Sequence, residues 1–344
     1  MNSTIQKPNS LQKRLFDTRF SPRMVRWVDL AGQRAAPIGV IIILIAAALF
    51  APAFYNPTNL KSLAIQFAVL GIVALGETLV LLVRSIDLSV GAVMALGAVI
   101  VVQTQSGNSL IGSIVTALGL AALIGLVNGV LITKRQVPPF VASFGMMWFI
   151  QGARLAYTNG QASGTVPTFL RTISITPVGF IPAALLVFLL LGAVLYFFIR
   201  FTRFGRWIYA VGGNPSAAQY AGIHTDWVII GAHILCSVLA LMAGLVLSGY
   251  IGYVDLRIGT DYNMNAIASA IIGGTTFTGG RGNLFGTAAG VLLLIALLNL
   301  VVVLGLPIHW QYAVQGIVLV AATALQGFRD RKSTRLNSSH LGIS

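Results

Sequence analysis

Two acidic residues lie in strongly apolar sequence, where a carboxylate can do chemistry that an exposed one cannot. Glu77 lies inside one apolar run, and Asp87 opens the next. Acids within a membrane are rare and commonly mark ion or proton pathways. Arg84 lies between them in the sequence and could neutralise either acid, so a structural salt bridge is the competing interpretation. We favour a structural or gating role for Glu77 and Asp87 over a proton relay.

The other reactive residues form no known catalytic or metal-binding pattern. The four histidines are scattered, and the motifs HExxH, CxxC and GxSxG are absent. The phosphate-binding loop GxxxxGK[ST] is also absent. We therefore expect the chain to need no metal or cofactor and to draw its energy from an ion gradient or from a partner protein. The stretch GGTTFTGGRGNLFG is interpreted as a tight turn between two membrane helices, with Arg281 at the cytoplasmic face.

The composition excludes a soluble protein. Of the 344 residues, 56% are hydrophobic and only 9% are charged, whereas about 25% of the residues in a soluble domain are charged. The mean hydropathy is +0.86. The net charge of +14 indicates basic cytoplasmic loops in so apolar a chain, and not a nucleic-acid partner. The sequence predicts an all-α, polytopic bundle of transmembrane helices in the lipid bilayer.

The apolar segments can be ordered by their length and by the charge of the loops between them. A membrane helix needs about 20 apolar residues, and about ten such segments fit between residues 36 and 328. This order puts both termini and the clustered basic residues in the cytoplasm. Residues 261–279 are rich in small and polar residues, so a half-helix or re-entrant segment is the alternative there. The predicted spans are 36–54, 62–83, 86–102, 110–132, 138–155, 178–199, 227–251, 261–279, 284–304 and 308–326.

The two ends of the chain differ from the predicted membrane domain at 36–328. Residues 1–35 form a basic segment that we expect to be cytoplasmic. Residues 329–344 change abruptly to Ser, Asn, Thr and His. Because this composition does not support a packed core, we predict a disordered tail that is partly non-native.

The cytoplasmic stretch 203–226 contains a Gly-Gly-Asn-Pro turn and a short helix after it. Asn214 can cap this helix, and Pro215 suits its first position. A helix of under two turns is not stable alone in water, so it must rest against something. It either packs on its own membrane domain or docks into a soluble partner, and these residues alone leave both possibilities open.

Four stretches carry a family resemblance: GETLVLL (Gly76–Leu82), IDLSVGAVMALGA (Ile86–Ala98), VGGNPSAAQYAGI (Val211–Ile223) and AIIGGTTFTGGRGNLFGTAAG (Ala270–Gly290). In this order they resemble the permease subunits of ribose-type sugar ABC importers. The similarity extends over roughly residues 36–328. Many members of that family have Gly-Gly before the Ile-Asp-Leu-Ser signature, whereas this chain has Arg84 and Ser85.

The resemblance implies a subunit that translocates a monosaccharide across the bacterial inner membrane by alternating access. The implied partners are a cytoplasmic ABC ATPase that binds the ATP, an extracytoplasmic sugar-binding protein, and a second permease copy or a paralogue. The implied coupling helix, which docks on the ATPase, comprises Asn214, Pro215, Ala217, Ala218, Ala221, Gly222 and Ile223. The implied signature and gating residues are Glu77, Asp87, Leu88, Ser89 and Gly91.

A pathway for neutral, hydroxyl-rich sugars needs polar, uncharged side chains. The candidates also suit helix packing, and they are Gln66, Asn128, Ser269, Thr275 and Asn299. The alternative function is a self-sufficient, ion-coupled secondary transporter or channel that relies on Glu77 and Asp87. That alternative predicts transport without any ATPase. The sequence does not identify the sugar.

Overall fold

The computed structural model describes residues 22–103, 109–161, 164–255, 257–321 and 324, with side chains from residue 36 onwards. This part of the chain is helical apart from one short β-hairpin and connecting segments, as the sequence predicts. A 3-10 turn (Pro52–Tyr55) and the hairpin strands β1 (Pro177–Val178) and β2 (Ile181–Pro182) lie between helices. The helices are α1 (Pro22–Phe50), α2 (Pro57–Leu82), α3 (Val90–Gln103), α4 (Leu110–Lys134), α5 (Pro139–Thr158), α6 (Thr168–Ile175), α7 (Ala183–Phe201), α8 (Arg203–Gly213), α9 (Pro215–Tyr220), α10 (Thr225–Ile251), α11 (Tyr262–Ile272), α12 (Leu284–Val303) and α13 (residues 309–321).

Several helices have the length and composition of membrane spans. Among the described residues, five are long and apolar enough to cross a membrane, namely α2, α4, α7, α10 and α12. Residues Ala36–Phe50 of α1 and helix α3 are shorter apolar helices. Each of these helices overlaps a predicted span, which confirms an all-α membrane protein. The total of about ten spans and the cytoplasmic position of both termini stay predictions.

The predicted span at 261–279 is wrong in its length. Helix α11 has 11 residues and ends at Ile272. Residues 273–283, here named the glycine turn, leave the helix, with φ of +94° at Gly274 and +77° at Gly279. Glycine adopts this left-handed conformation without steric cost. A residue in this conformation cannot continue a right-handed α-helix. The chain therefore forms the half-helix that was the alternative at this position.

The third and sixth predicted spans, 86–102 and 178–199, begin too early. Helix α3 starts only at Val90, because residues 83–89 form a non-helical segment, here named the signature segment. Helix α7 starts at Ala183, because the antiparallel hairpin of β1 and β2 precedes it. Both helices are correspondingly shorter than predicted.

Helices α2 and α10 form the centre of the bundle, and α10 packs along α2, α3 and α4. Small residues permit this approach. A Cβ atom added at Gly76 would lie 3.1 Å from Cα of Cys236, and one added at Gly125 would lie 2.5 Å from the carbonyl oxygen of His233. Small residues are typical of helix contacts in membranes, where lipid supplies no hydrophobic drive. Close packing of this kind brings polar groups of the central helices within hydrogen-bonding distance.

The predictions for the two ends of the chain fall mostly outside the described residues. Of the basic segment 1–35, the structure describes the backbone from Pro22, which is already helical. The tail at 329–344 lies entirely outside the described part. The cytoplasmic location of the first segment and the disorder of the second stay predictions.

Candidate functional site

Helix α9 is the short helix that the sequence predicts after the Gly-Gly-Asn-Pro turn. Oδ1 of Asn214 accepts a hydrogen bond of 3.0 Å from the N–H of Ala217, and Pro215 occupies the start of the helix. The helix ends at Tyr220, and Gly222 follows with a φ of +80°, which lets the chain turn towards α10. The predicted cap is confirmed. The helix rests on α8 and α10 of the same chain.

The residues of the implied coupling helix do not all face outward. Ala218 is only 4% exposed and packs in the hydrophobic core. Tyr220, which was not predicted, is 94% exposed. An exposed aromatic side chain on a short polar helix is typical of interface anchors, and this was the available signal. Of the other implied residues, the exposed ones are Asn214, Ala217, Ala221 and Gly222, and the half-buried ones are Pro215 and Ile223.

A cavity of about 260 Å³ lies between α8 and the start of α10. It is lined by side chains from α8, from the connection that follows α9 and from the first turn of α10, namely Phe204, Trp207, His224, Trp227 and Val228. Trp207 is 40% exposed and Trp227 is 64% exposed, so the cavity opens outward. Its aromatic lining suits an apolar side chain of a partner protein.

Asp87 lies at the centre of a polar cluster in the protein interior, with 0% of its surface exposed. Its Oδ1 atom accepts hydrogen bonds from the N–H of Ser89 at 2.8 Å and from the Ser89 hydroxyl at 2.5 Å. Its Oδ2 atom lies 3.3 Å from Nδ1 of His233 on α10. Both carboxylate oxygens therefore have partners within the chain.

His233 and Asn128 extend this cluster to the neighbouring helices. Nε2 of His233 lies 2.8 Å from the hydroxyl of Ser85, and Nδ2 of Asn128 on α4 donates to the Ser89 hydroxyl at 3.1 Å. His233 was not predicted as a site residue. The available signal was a single histidine in the middle of a long apolar helix. The contacts join the signature segment to α4 and α10.

Glu77 on α2 completes the cluster. Its Oε1 atom accepts the backbone N–H of Asp87 at 3.2 Å, and its Oε2 atom lies 3.9 Å from Sγ of Cys236. Glu77 is 0% exposed. The described residues contain no group of three or more His, Cys, Asp or Glu side chains that could hold a metal ion. We name this set the buried cluster; it comprises Glu77, Ser85, Asp87, Ser89, Asn128, His233 and Cys236.

Arg84 connects the signature segment to α8 and not to the acids. The salt bridge between Arg84 and one of the acids, which was the competing interpretation, is not formed, because Asp87 pairs with His233 and Glu77 accepts the backbone N–H of Asp87. Nε of Arg84 donates to the carbonyl oxygen of Gly212 at 2.6 Å, and Nη2 donates to that of Gly213 at 2.7 Å. These carbonyl groups belong to the last turn of α8, where a cation is electrostatically favoured.

The glycine turn also contacts α8. The Tyr209 hydroxyl donates a hydrogen bond of 3.0 Å to the carbonyl oxygen of Gly282. Burial raises the pKa of Tyr209 above its ordinary value of 10.0, so the hydroxyl stays protonated and can donate at neutral pH. The predicted turn between two helices is confirmed, and its residue Arg281 is exposed.

The remaining signature residues contact α11 and the loop before it. The N–H of Gly91 donates to Oδ1 of Asn263 at 2.6 Å, and a Cβ atom added at Gly91 would lie 2.2 Å from the carbonyl oxygen of Gly259. Leu88 packs with apolar side chains of α11. The signature segment and the start of α3 are thus fixed on several sides.

The implied pathway residues have different surroundings. Asn299 and Asn59 exchange two side-chain hydrogen bonds of 2.9 Å, which hold α12 against α2. Asn128 belongs to the buried cluster. Ser269 and Thr275 are 0% exposed, and Gln66 is half-buried. Asn128 and Asn299 therefore take part in helix packing, which was the competing interpretation.

Comparison with known proteins identifies the family. The family described as branched-chain amino acid transport system / permease component matches residues 59–323. The chain is 32% identical to the ribose import permease protein of Escherichia coli (strain K12), over 84% of this chain and 92% of that protein. It is 33% identical to the autoinducer 2 import system permease protein of Yersinia pseudotuberculosis serotype O:3 (strain YPIII), over 88% and 87%. It is 29% identical to the fructose import permease protein of Rhizobium meliloti, over 85% and 84%. No solved structure matches the chain.

The family match covers most of the chain, including the buried cluster, α9 and the glycine turn. It agrees with the long apolar helices of the structure. The chain therefore belongs to the branched-chain amino acid transport system / permease component family and is a multi-pass permease component of the bacterial inner membrane.

Proposed function

We propose that the chain is the membrane-spanning permease subunit of an ABC importer for a monosaccharide. The observation that carries this proposal is α9, an exposed helix of six residues that is capped by Asn214 and presents Ala217 and Tyr220 outward. An aromatic side chain that is almost fully exposed is a good anchor for a partner protein. A cytoplasmic ABC ATPase with a groove for α9 would cover it.

The proposed energy source is that separate ATPase. The chain has no phosphate-binding loop, so ATP would be bound only by the partner. The buried cluster disfavours the ion-coupled alternative, because Glu77 and Asp87 are fully buried and contact partners within the chain. A proton pathway would require one of these acids to reach water on each side in turn.

Transport would then proceed by alternating access. A binding protein outside the membrane delivers the sugar to this chain and a second copy or paralogue. ATP binding draws the two ATPase subunits together, and α9 carries their movement into the bundle. After hydrolysis the two ATPase subunits separate, and the bundle returns to the state that it had before ATP binding.

The proposed cargo is a small, neutral, hydroxyl-rich molecule of the ribose type. The relatives are named for ribose, fructose and autoinducer 2. Ser269 is a pathway candidate whose hydroxyl has no hydrogen-bond partner among the described residues. Because Ser269 is 0% exposed, the bundle would have to open before a sugar could reach it. An unpaired buried hydroxyl is unfavourable, and a sugar hydroxyl would satisfy it.

The test compares two neighbouring alanines that have opposite exposure. Ala217→Arg changes an exposed residue of α9, so we expect a folded protein at normal membrane level that neither recovers the ATPase on purification nor supports uptake. Ala218→Arg changes a residue that is 4% exposed, so we expect loss of folded protein. The control is Ala156→Arg, at an exposed alanine in the last turn of α5, which should leave ATPase recovery unchanged.

Normal uptake by the Ala217→Arg variant would contradict the proposal. So would transport by the purified chain alone in proteoliposomes that contain an ion gradient and no ATPase.

A further inference from the structure

Three segments of the backbone meet beside α9 with almost no side chains between them. The N–H of Gly280 in the glycine turn donates to the carbonyl oxygen of Leu82, at the end of α2, at 2.9 Å. A Cβ atom added at Gly212 would lie 1.8 Å from that same oxygen, and one added at Gly280 would lie 2.7 Å from Cα of Gly213. Only glycine permits this approach. The ends of α2 and α8 and the glycine turn are therefore in direct backbone contact.

Two long side chains cross this contact: Tyr209 reaches from α8 to the glycine turn, and Arg84 reaches from the signature segment to α8. The backbone of Arg84 has a φ of +64°, which is unfavourable for a residue with a Cβ atom and suits glycine. Its guanidinium makes the two hydrogen bonds to Gly212 and Gly213, at 2.6 and 2.7 Å. Glycine would relieve the backbone strain but could not make these bonds. The hydrogen bonds from the Arg84 side chain to α8 therefore explain why an arginine is present at a position that suits glycine.

Both neighbours of α9 in the chain are attached to the same signature segment. Helix α8, which precedes α9, is attached through Arg84. Helix α10, which follows α9, is attached through His233, which contacts Ser85 and Asp87. The signature segment is therefore attached to both chain neighbours of α9.

We propose that Arg84 is a positioning residue that transmits the movement of α9 to the signature segment and so couples ATP hydrolysis to opening of the bundle. This role rests on the proposed function. Without the Arg84 link, α8 can move relative to the signature segment, while α9 still presents the same surface to the ATPase. Hydrolysis then continues with less sugar transported for each ATP.

The experiment uses the complete transporter, with its ATPase and binding protein, in proteoliposomes. It measures ATPase recovery on purification and the ratio of sugar imported to ATP hydrolysed. Arg84→Gly removes both hydrogen bonds and the backbone strain. Arg84→Gln keeps the strain and removes the paired donors and the charge. Arg281→Ala is the matched control, since it removes an exposed guanidinium from the adjoining glycine turn.

We expect Arg84→Gly and Arg84→Gln to recover the ATPase normally. Both should lower the ratio of sugar imported to ATP hydrolysed by at least about fivefold, which is the lower end of the couplings measured between distant sites. Arg281→Ala should leave the ratio unchanged. A wild-type ratio in Arg84→Gly would overturn the proposal. If that variant does not fold, a wild-type ratio in Arg84→Gln overturns it equally.

A variant that loses ATPase recovery in proportion to transport would also overturn the proposal, because Arg84 would then only maintain the fold or the docking surface. Failure of the wild-type chain to recover an ATPase would contradict the proposed function. The two failures are therefore distinguishable.

Discussion

The buried cluster and α9 are both rich in polar or small residues, but their surroundings are opposite. Glu77, Asp87 and His233 are 0% exposed and contact other groups of the same chain. Tyr220 on α9 is 94% exposed, and its helix has only six residues. The three buried side chains thus have partners within the chain, whereas Tyr220 faces outward. Polar residues in a permease can hold the bundle together or receive a partner, and burial distinguishes the two.

The largest effect is expected from breaking the buried cluster. Asp87→Ala removes the acceptor of the Ser89 N–H and the partner of Nδ1 of His233, and it leaves both groups unpaired in the interior. Each buried polar group that loses its partner costs about 1–3 kcal/mol of unfolding free energy. We expect a large fall in the thermal unfolding temperature of the purified protein in detergent. The unfolding temperature should fall less in Asp87→Asn, because asparagine keeps the shape of the side chain and one acceptor oxygen. An unfolding temperature equal to that of the wild type in Asp87→Ala would mean that the cluster does not stabilise the bundle.

An intermediate effect is expected from Tyr220→Ala, and only on assembly. Truncating a central interface aromatic costs about 2 kcal/mol of binding free energy, which corresponds to about a 30-fold weaker affinity for the ATPase. The unfolding temperature should not change, because the side chain is exposed. Titration of the purified chain with its ATPase measures this affinity. Phe180→Ala, at the exposed tip of the β1–β2 hairpin, is the matched aromatic control. Equal affinities for wild type and Tyr220→Ala would exclude Tyr220 as an anchor.

The smallest effect is expected from the ion pair between Lys134 and Asp226. Its Nζ and Oδ2 atoms are 2.5 Å apart, but the two side chains are 56% and 36% exposed. Exposed pairs contribute about 0–1 kcal/mol, since water and salt screen them. A double-mutant cycle with Lys134→Ala and Asp226→Ala should give a coupling free energy in that range. A value comparable to the loss in Asp87→Ala would contradict the contrast between buried and exposed polar groups.

Local features of the fold were predictable from the sequence. The start of α9 depends on Asn214 and Pro215, which act on backbone groups within a few residues. The long apolar helices likewise depend only on the length of hydrophobic segments. The family resemblance added the prediction that α9 docks on an ATPase, which residue types alone left undecided and which stays a prediction.

Contacts between distant parts of the chain were not predictable in this way. Asp87 and His233 are 146 positions apart, and their contact exists because small residues bring α2, α4 and α10 together. The possible partner considered from the sequence, Arg84, is close to Asp87 in the chain, but the chain turns at this position and directs the Arg84 side chain to α8. Sequence proximity therefore favoured the wrong pair. The sequence analysis extended α11 to residue 279, whereas the helix ends at Ile272. The glycines that follow Ile272 allow the chain to turn there.

Helix α10 connects the end next to α9 with the buried cluster and with contacts much farther along the bundle. The helix has 27 residues, so it is about 40 Å long at 1.5 Å per residue. His233 lies about 12 Å from the end next to α9 and about 27 Å from the other end at the same rise. Close contacts continue along the longer part of the helix, because a Cβ atom added at Gly244 would lie 2.3 Å from the carbonyl oxygen of Met94 and one added at Gly249 would lie 2.2 Å from that of Leu170. A displacement that enters α10 beside α9 would therefore reach α3 and α6 through one continuous helix.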